Sequence, residues 1–367
     1  MNEYAAAGID YAKMAAWKRL MLQLVKATRG FPKRHNVTID DNGDYQFSGL
    51  IKPTRYPKPV TEGLGHKNLI AQWMYQNANT GRAYHDKIGI DTILMAVNDF
   101  IVTGGVAFGY TSEVASATDL WYEDELRGQE LYDGYYLECE TDGLAILGGE
   151  SPALPLLLNS QGYVQDSPSF SGCVIGFYPP ERRTVRPGRP MIGDTILGEL
   201  SSGLHSNGST LLVRRSVQLQ DGFLTRLPSG TMFGEAVLVP TKSYVGLVNA
   251  LLDADIDVHA FQPITGGGVG KIAFEKQPMT YRIQDWVEVP ELFQFIEETL
   301  RISKKGMLET FNCGIGYVIF VDSDDKYEAI DAAAKAGREL VPLGKVEEGP
   351  RRVIFGPEND LEVSAPA

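Results

Sequence analysis

The segment HDKIGIDTILMAVNDFIVTGG, residues 85–105, decides how the rest of the chain is interpreted. Its apolar side chains recur every three or four residues, which predicts a buried helix from residue 88 to residue 101 that ends at the glycine pair 104–105. At about 100° per residue, Asp91 and Asn98 fall on nearly the same face of this helix, and Asp99 lies about 80° away at its edge. The apolar stripe consists of Ile90, Ile93, Leu94, Val97 and Ile101.

The carboxylate of Asp99 is unusual in such an apolar helix. Buried aspartates are uncommon unless they are paired, hydrogen-bonded or bound to a metal, and helix capping does not apply this far inside the element. Two interpretations remain open. Asp99 contacts a metal or ligand in a cleft, or it is the partner of a buried Arg or Lys.

Length and composition limit the classes of function. A chain of 367 residues predicts two domains, and 43% hydrophobic with 22% charged residues is typical of a globular protein. The net charge of −13 argues against nucleic-acid binding, although helix N-termini and Mg²⁺ can still hold an anionic metabolite. No apolar run approaches the roughly 18 residues of a membrane span, no basic segment opens the chain, and Cys139, Cys173 and Cys313 form no CxxC pair. We therefore expect a cytoplasmic protein.

The order of patterns along the chain predicts mixed α/β domains. An amphipathic helix is expected from Asp10, with its basic residues on a solvated face. Residues 28–60 predict a long loop with room for one short hairpin. The segment 178–190 holds four prolines and four arginines in thirteen positions. We place the domain boundary there, giving domains of residues 1–178 and 179–367.

The common nucleotide-binding fingerprints are absent. Residues 265–271 (TGGGVGK) fail the P-loop pattern at both ends, and residues 63–68 (GLGHKN) lack the third glycine of the dinucleotide pattern. The turn SSGLHSNG, residues 201–208, follows a strand-like run at 195–200 and precedes a helix-like segment at 209–217. Such a turn directs backbone N–H groups and a positive helix end towards one point, which suits a phosphate. Alone it is a weak signal, and His205 within it is more often a packed or capping histidine.

Taken together, these segments resemble the phosphoribosylformylglycinamidine cyclo-ligase (aminoimidazole ribonucleotide synthetase) family. HDKIGID at 85–91 resembles the family's HDTIGID, VND at 97–99 its VND, GGES at 148–151 its GGET, and SSGLHSNG at 201–208 its SSGxHSNG. Further matches in the family's order are residues 4–10, 240–244, 258–260, 265–268 and 310–316. The resemblance spans almost the whole chain.

The resemblance implies an α/β (α+β) fold of two domains. The N-terminal mixed sheet would form a barrel across a homodimer, and an ATP cleft would lie between it and the C-terminal α/β domain. The implied reaction transfers the γ-phosphate of ATP, held with Mg²⁺, to the formyl amide oxygen of a small nucleotide substrate, after which the imidazole ring closes.

The resemblance also implies roles for particular residues. Lys67, Asp99 and His205 would be catalytic, and Glu62, Asp99 and Glu150 would face the metal. The implied ATP-binding or substrate-binding residues are Glu62, Gly63, Gly65, His66, Asp91, Asn98, Ser202, Gly203, Ser206, Asn207, Thr265, Gly266 and Gly267.

Several departures from the family pattern bear on the substrate. Residues 62–67 read EGLGHK where the family has DGVGTK, so that Glu62 replaces an Asp and His66 replaces a Thr. The family's N-terminal glycine-rich loop is not visible between residues 29 and 59, Ser112-Glu113 stands in place of Asp-Tyr, and Ala153 replaces a Glu.

Three hypotheses follow: the cyclo-ligase itself, an ATP-using relative with a changed acceptor, and a catalytically weakened nucleotide-binding partner protein. A selenophosphate synthetase would need a reactive cysteine in its N-terminal loop, whereas the first cysteine here is Cys139. A hydrogenase-maturation relative would need a C-terminal cysteine, which the ending VSAPA is not expected to supply, and a synthetase of the preceding purine step would be far longer.

Overall fold

The computed structural model describes residues 13–49, 52–158, 162–164, 166–182, 184–186 and 188–366. The predicted helix start at Asp10 and the motif at residues 4–10 lie outside these residues.

The helices are α1 (Ala15–Thr28), α2 (Lys67–Asn77), α3 (His85–Phe100), α4 (Glu125–Asp142), α5 (Ser209–Ser216), α6 (Phe233–Val237), α7 (Val245–Asp253), α8 (Glu291–Thr299), α9 (Lys304–Thr310) and α10 (Lys326–Lys335). The strands are β1 (Val37–Ile39), β2 (Tyr45–Phe47), β3 (Val60–Gly63), β4 (Val106–Ala115), β5 (Ala145–Glu150), β6 (Ser169–Phe177), β7 (Thr195–Leu200), β8 (Val258–Pro263), β9 (Met279–Ile283), β10 (Ile315–Val321), β11 (Leu340–Glu348), β12 (Arg352–Phe355) and β13 (Leu361–Val363).

The first larger sheet has four strands in the order β3-β6-β4-β5, with β4 and β5 parallel and the other pairs antiparallel. Helix α3 packs on one face of it and against α4. The hydroxyl of Tyr110 on β4 donates to the carbonyl of Thr92 on α3 at 2.9 Å, which ties the sheet to that helix. Strands β3 and β5 are the two outer strands, and no further strand of the described residues pairs with their outer edges.

The hairpin β1–β2 covers the apolar end of the other face of the four-stranded sheet, the face on which α3 does not pack. Its aromatic rings pack on rings of the sheet: Tyr45 lies 4.8 Å from Phe108 and Phe47 lies 5.0 Å from Phe177, between ring centroids. The hairpin confirms the one predicted within residues 28–60. Its contacts explain why a segment rich in turn residues is ordered, since its few aromatic side chains are the ones that reach the sheet.

The second larger sheet has seven strands in the order β13-β12-β9-β11-β7-β10-β8, in which only β9 and β12 pair in parallel. Strands β8 and β10 are buried along their whole length, which matches the continuous apolar sequence of β10, whereas β8 also buries His259 and Gln262. All four strands of the first sheet precede Tyr178, and all seven of the second follow residue 190. The exact boundary at residue 178 stays a prediction, whereas the mixed α/β architecture is confirmed.

The helix predicted for residues 88–101 is α3, which starts three residues before the predicted position. It is followed by a 3-10 turn, Ile101–Thr103, and ends at Gly104, whose φ of 81° is left-handed. Its apolar stripe is buried as predicted. Among the described residues, no helix combines the length and the apolarity that crossing a membrane requires.

Candidate active site

A polar cavity of about 330 Å³ lies where the β3–α2 turn, the end of α3 and the start of α5 meet. The predicted site residues that line it are Glu62, Gly63, Gly65, His66, Asp99, Ser206, Asn207, Thr265 and Gly266. These come from both halves of the chain, because residues 62–99 belong to the first sheet and its helices, whereas residues 206–266 follow β7. The structure therefore brings most of the predicted binding residues together.

Two carboxylates, those of Glu62 and Asp99, face this cavity without a partner. Burial, together with the charge of Glu62 and opposed by Lys271, raises the pKa of Asp99 to about 6. Burial likewise raises the pKa of Glu62, again opposed by Lys271. No hydrogen bond or ion pair within 4 Å joins either carboxylate to another described residue. Two partly buried acids that destabilise each other are suited to a cation.

The opposite side of the cavity offers donors for an anion. Helix α5 begins after Gly208, whose φ is 84°, and its first two residues, Ser209 and Thr210, line the cavity, where N–H groups of a first helical turn lack intrahelical partners. The hydroxyl of Ser206 is buried and has no hydrogen-bond partner among the described residues. Lys271, in the 3-10 turn Gly268–Ala273, adds a cationic side chain. Two carboxylates and several groups that can donate to an anion thus line the same cavity.

Lys67 and Asp91 lie outside this cavity. Both side chains are completely buried (0% exposed), and their charged atoms are 2.7 Å apart. The ammonium of Lys67 also donates to the carbonyl of Val239 at 2.9 Å, while Asp91 accepts from the backbone N–H and the hydroxyl of Thr241 at 2.7 and 2.6 Å. This ion pair therefore joins α2 and α3 to the segment that precedes α7, and neither side chain reaches the cavity.

Asn98 and His205 also serve contacts within the protein. Asn98 accepts from the N–H of Tyr244 at 3.1 Å and donates to the carbonyl of Lys242 at 3.0 Å, so it shares with Asp91 the helix face that the sequence predicted. Burial lowers the pKa of His205 to about 3, helped by Lys67 and Lys242, and its ring lies beside Tyr244. His205 is thus a neutral, packed imidazole, the interpretation that the sequence alone favoured.

Three further predicted binding residues lie outside the cavity lining. The Ser202 hydroxyl donates to the carbonyl of Pro240 at 2.6 Å. Gly203, with a φ of 157°, and Gly267, with a φ of 96°, lie in the two turns that each carry other cavity-lining residues. His66, in contrast, lines the cavity, and its Nδ1 shares a hydrogen bond of 2.7 Å with the hydroxyl of Thr210 on α5. His66 therefore links the β3–α2 turn to the helix.

Glu150 does not join Glu62 and Asp99. In the first sheet, Gly63, Ser171, Glu113 and Glu150 stand side by side on β3, β6, β4 and β5. Three strand spacings of about 4.8 Å place Glu150 about 14 Å from the β3 end of that row. One oxygen of Glu150 accepts from the N–H of Ser151. Within the described ranges no group of three acidic, His or Cys side chains is arranged to hold one ion, so the expected three-carboxylate site does not form in one protomer.

Sequence reasoning missed Lys271 and Thr210, which line the cavity. Residues 265–271 fail the P-loop pattern, and the resemblance to the family covers residues 265–268 without reaching Lys271. The remaining signal was the lysine itself, three residues after a glycine run, but nothing local shows that the 3-10 turn brings it opposite two carboxylates.

The mixed α/β fold is that of the AIR synthetase-like class of proteins. The AIR synthase related protein, C-terminal domain family matches residues 192–356. A thiamine-monophosphate kinase from Stenotrophomonas maltophilia K279a superposes with a TM-score of 0.62 at 15% identity, covering 92% of this chain and 95% of the kinase. The hydrogenase maturation protein HypE in complex with ATP superposes with a TM-score of 0.55 at 16% identity, covering 76% and 79%. At these identities, the two structures show the fold alone.

The relatives in sequence are more specific. A phosphoribosylformylglycinamidine cyclo-ligase from Alkaliphilus oremlandii is 32% identical over 96% of this chain and 99% of its own length. The protein of the same name from Rippkaea orientalis is 30% identical over 96% and 98%. The chain belongs to the phosphoribosylformylglycinamidine cyclo-ligase family, and the predicted family and its fold class are confirmed.

Proposed function

We propose that this protein is an ATP-dependent cyclo-ligase that closes formylglycinamidine ribonucleotide to aminoimidazole ribonucleotide, a step of purine biosynthesis. The γ-phosphate of ATP passes to the formyl amide oxygen, the amidine nitrogen attacks the resulting iminophosphate carbon, and phosphate leaves as the imidazole ring closes. The observation that carries this proposal is the pair of partnerless carboxylates, Glu62 and Asp99, opposite the N-terminus of α5. Phosphoryl transfer needs mainly positioning and charge stabilisation, and these groups supply both.

The side chains at the cavity fit Mg²⁺ together with a triphosphate. Glu62 and Asp99 would hold the metal, since both are oxygen ligands whose charge nothing else in the described protein neutralises within 4 Å. When bound, Mg²⁺ neutralises phosphate charge and orients the transferred group. The N–H groups at the start of α5, the Ser206 hydroxyl and Lys271 would hold phosphate oxygens.

We assign positioning roles to Lys67, Asp91, Asn98 and His205. Their contacts to residues 239–244 fix the end of α3 relative to the turn before α5. The relative position of these two elements sets the separation between the carboxylates and the proposed anion site. Since burial also lowers the pKa of Lys67 while Asp91 counteracts it, the pair is held as a unit. Removal of either side chain would then change the cavity by shifting the backbone of the elements that line it.

A changed acceptor is the second candidate, and His66 favours it. Where the family has Thr, this chain has a ring that is hydrogen-bonded to Thr210 at the cavity wall. A larger residue at that wall alters the shape offered to the acceptor without touching the carboxylate pair. This candidate keeps ATP and Mg²⁺ and changes only the molecule that receives the phosphoryl group.

We further propose a cytoplasmic homodimer that takes a small nucleotide substrate and no nucleic acid. The free edges of β3 and β5 and the face of the first sheet beyond the hairpin support pairing with a second copy. Light scattering at micromolar concentration should give twice the 40.3 kDa of one chain. A monomeric mass for the folded protein would exclude the dimer.

The experiment that tests the function is incubation with ATP, Mg²⁺ and formylglycinamidine ribonucleotide. We expect aminoimidazole ribonucleotide with stoichiometric ADP, and no product from the Asp99→Asn variant. Binding of Mg²⁺-ATP without this product would favour the changed acceptor, and failure to bind ATP at all would exclude both candidates.

A further inference from the structure

A larger cavity of about 710 Å³ adjoins the carboxylate cavity. The two share Gly65, His66 and Thr210 in their walls, so the hydrogen-bonded His66–Thr210 pair stands where they meet. Helix α5 and the residue that follows it form one wall of the larger cavity, with Thr210, Val213, Arg214 and Val217. These positions follow the spacing of one helix face, and two turns of helix extend the wall by about 10 Å away from the carboxylates. A volume of this order accommodates a small organic ligand.

The charge of this cavity differs from that of the protein. In a chain with a net charge of −13, the described residues that line it include no carboxylate, while Arg214 and His66 are present. Arg214 is exposed and forms no ion pair with another described residue. A guanidinium in this setting binds phosphate oxygens in a bidentate manner.

A second polar group on the cavity wall also lacks a partner. Asn68 is only 3% exposed, and its amide nitrogen donates to the hydroxyl of Ser167 at 2.8 Å and to the carbonyl of Pro168. Its carbonyl oxygen Oδ1 is buried and accepts no hydrogen bond from the part of the chain that the structure describes. A buried acceptor left unpaired costs free energy, which a ligand N–H or O–H group in the cavity would recover.

We propose that this larger cavity binds the acceptor substrate, with Arg214 holding the phosphate monoester of a phosphorylated ribose and Asn68 accepting from a ligand N–H or O–H group. The inference rests on the proposed function for the location of the transferred phosphoryl group. ATP fits this cavity less well, because its anionic end is the reacting end and would lie at the carboxylates, which leaves an uncharged base for Arg214. Only the acceptor carries an anionic group remote from its reacting atom.

The chain offers a matched control for Arg214. Arg215 is its neighbour on the same helix, is also exposed, and does not line the cavity. Arg214→Gln and Arg215→Gln therefore change the net charge equally but alter only one wall of the cavity. Both variants should fold as the wild type does, because neither arginine is buried.

Binding of ribose 5-phosphate, followed by ³¹P NMR titration without ATP, tests the pocket directly. We expect binding by the wild type, at least tenfold weaker binding by Arg214→Gln, and a change below twofold for Arg215→Gln. In turnover assays, Arg214→Gln should raise the KM for the acceptor at least tenfold and leave the KM for ATP unchanged. Absence of ribose 5-phosphate binding by the wild type, or equal weakening in both variants, would overturn the proposal.

Two further outcomes separate the pocket from the function. A raised KM for ATP with an unchanged KM for the acceptor would mean that the cavity holds the adenosine part of ATP, and the proposal would fail while the cyclo-ligase activity stood. Binding of ribose 5-phosphate that depends on Arg214, with no product from formylglycinamidine ribonucleotide, would retain the pocket and reject the proposed substrate.

Discussion

Asp91 and Asp99 lie on the same helix, α3, yet their surroundings differ completely. Asp91 is paired with Lys67 and accepts two hydrogen bonds from Thr241, whereas Asp99 has none of these partners and lies near Glu62. No described Arg or Lys side chain lies within 4 Å of the Asp99 carboxylate, so the structure does not give Asp99 the buried cationic partner, and its contact with a metal stays a prediction. The buried ion pair is formed by Asp91, with Lys67, and not by Asp99.

This contrast gives a paired prediction. Asp99→Asn should reduce ATP turnover at least a hundredfold while leaving the free energy of unfolding unchanged or higher, since a repelled carboxylate is removed. Asp91→Asn should lower the free energy of unfolding by about 3 kcal/mol or more, because the buried ammonium of Lys67 loses its counter-charge. Chemical denaturation and an ADP-release assay measure both. A strongly destabilised Asp99→Asn variant that still turned over ATP would contradict the assignment of Asp99 to the metal.

The raised pKa of Asp99 predicts a dependence of stability on pH in metal-free buffer. The folded protein binds this proton with a pKa of about 6, whereas an unfolded carboxyl titrates near 3.9. Between these values the folded state holds more protons, so this group lowers the free energy of unfolding as the pH rises, and the loss persists above about pH 6. The melting temperature of Asp99→Asn should therefore exceed that of the wild type by more at pH 7.5 than at pH 5. A difference that did not change with pH would refute it.

At the level of elements, the start of α5 depends on Gly208. Its φ of 84° is left-handed, and a Cβ atom there would collide with the ring of Phe311. The sequence identified the turn before this helix, but the Phe311 contact comes from a segment about a hundred residues later. The close approach fixes the direction of α5 and so the direction of its N–H groups.

Gly208→Ala tests this geometry, with Gly230→Ala as the control. Gly230 has a similar φ of 90° but open space around its Cα. Both variants should lose about 1 kcal/mol or more from the left-handed backbone, and Gly208→Ala should lose more because of Phe311. Gly208→Ala should also weaken the stabilisation by Mg²⁺-ATP, measured as the shift in melting temperature. Equal effects of the two substitutions on stability and on nucleotide binding would show that the Phe311 contact does not matter.

At the scale of the whole molecule, the cavity exists only where the two halves of the chain meet, and nucleotide binding should reflect both halves. ATP or a non-hydrolysable analogue should raise the melting temperature only with Mg²⁺, because Glu62 and Asp99 repel a bare triphosphate. Glu62→Gln should weaken this metal-dependent shift, whereas Glu150→Gln should retain it, since Glu150 lies at the other edge of the sheet. An equal shift with and without Mg²⁺ would count against the carboxylate pair as the metal site.

The sequence by itself determined the elements whose signals are local. The apolar period of α3, the hairpin within residues 28–60, the turn before α5 and the ordered family motifs were all readable, because helix periodicity and turn chemistry depend on residues close in sequence. The helix arithmetic also separated Asp99 from the face shared by Asp91 and Asn98. What the arithmetic cannot state is which group lies opposite each face.

Only the tertiary structure decided the partners. It paired Asp91 with Lys67, packed His205 beside Tyr244, and brought Lys271 near Asp99. It also moved Glu150 away from the site, since strand order and register, which place that residue at an outer strand, arise from long-range pairing between distant segments. The charges of buried groups are settled by whatever the fold brings within a few ångströms of them, and that proximity is not encoded in local sequence.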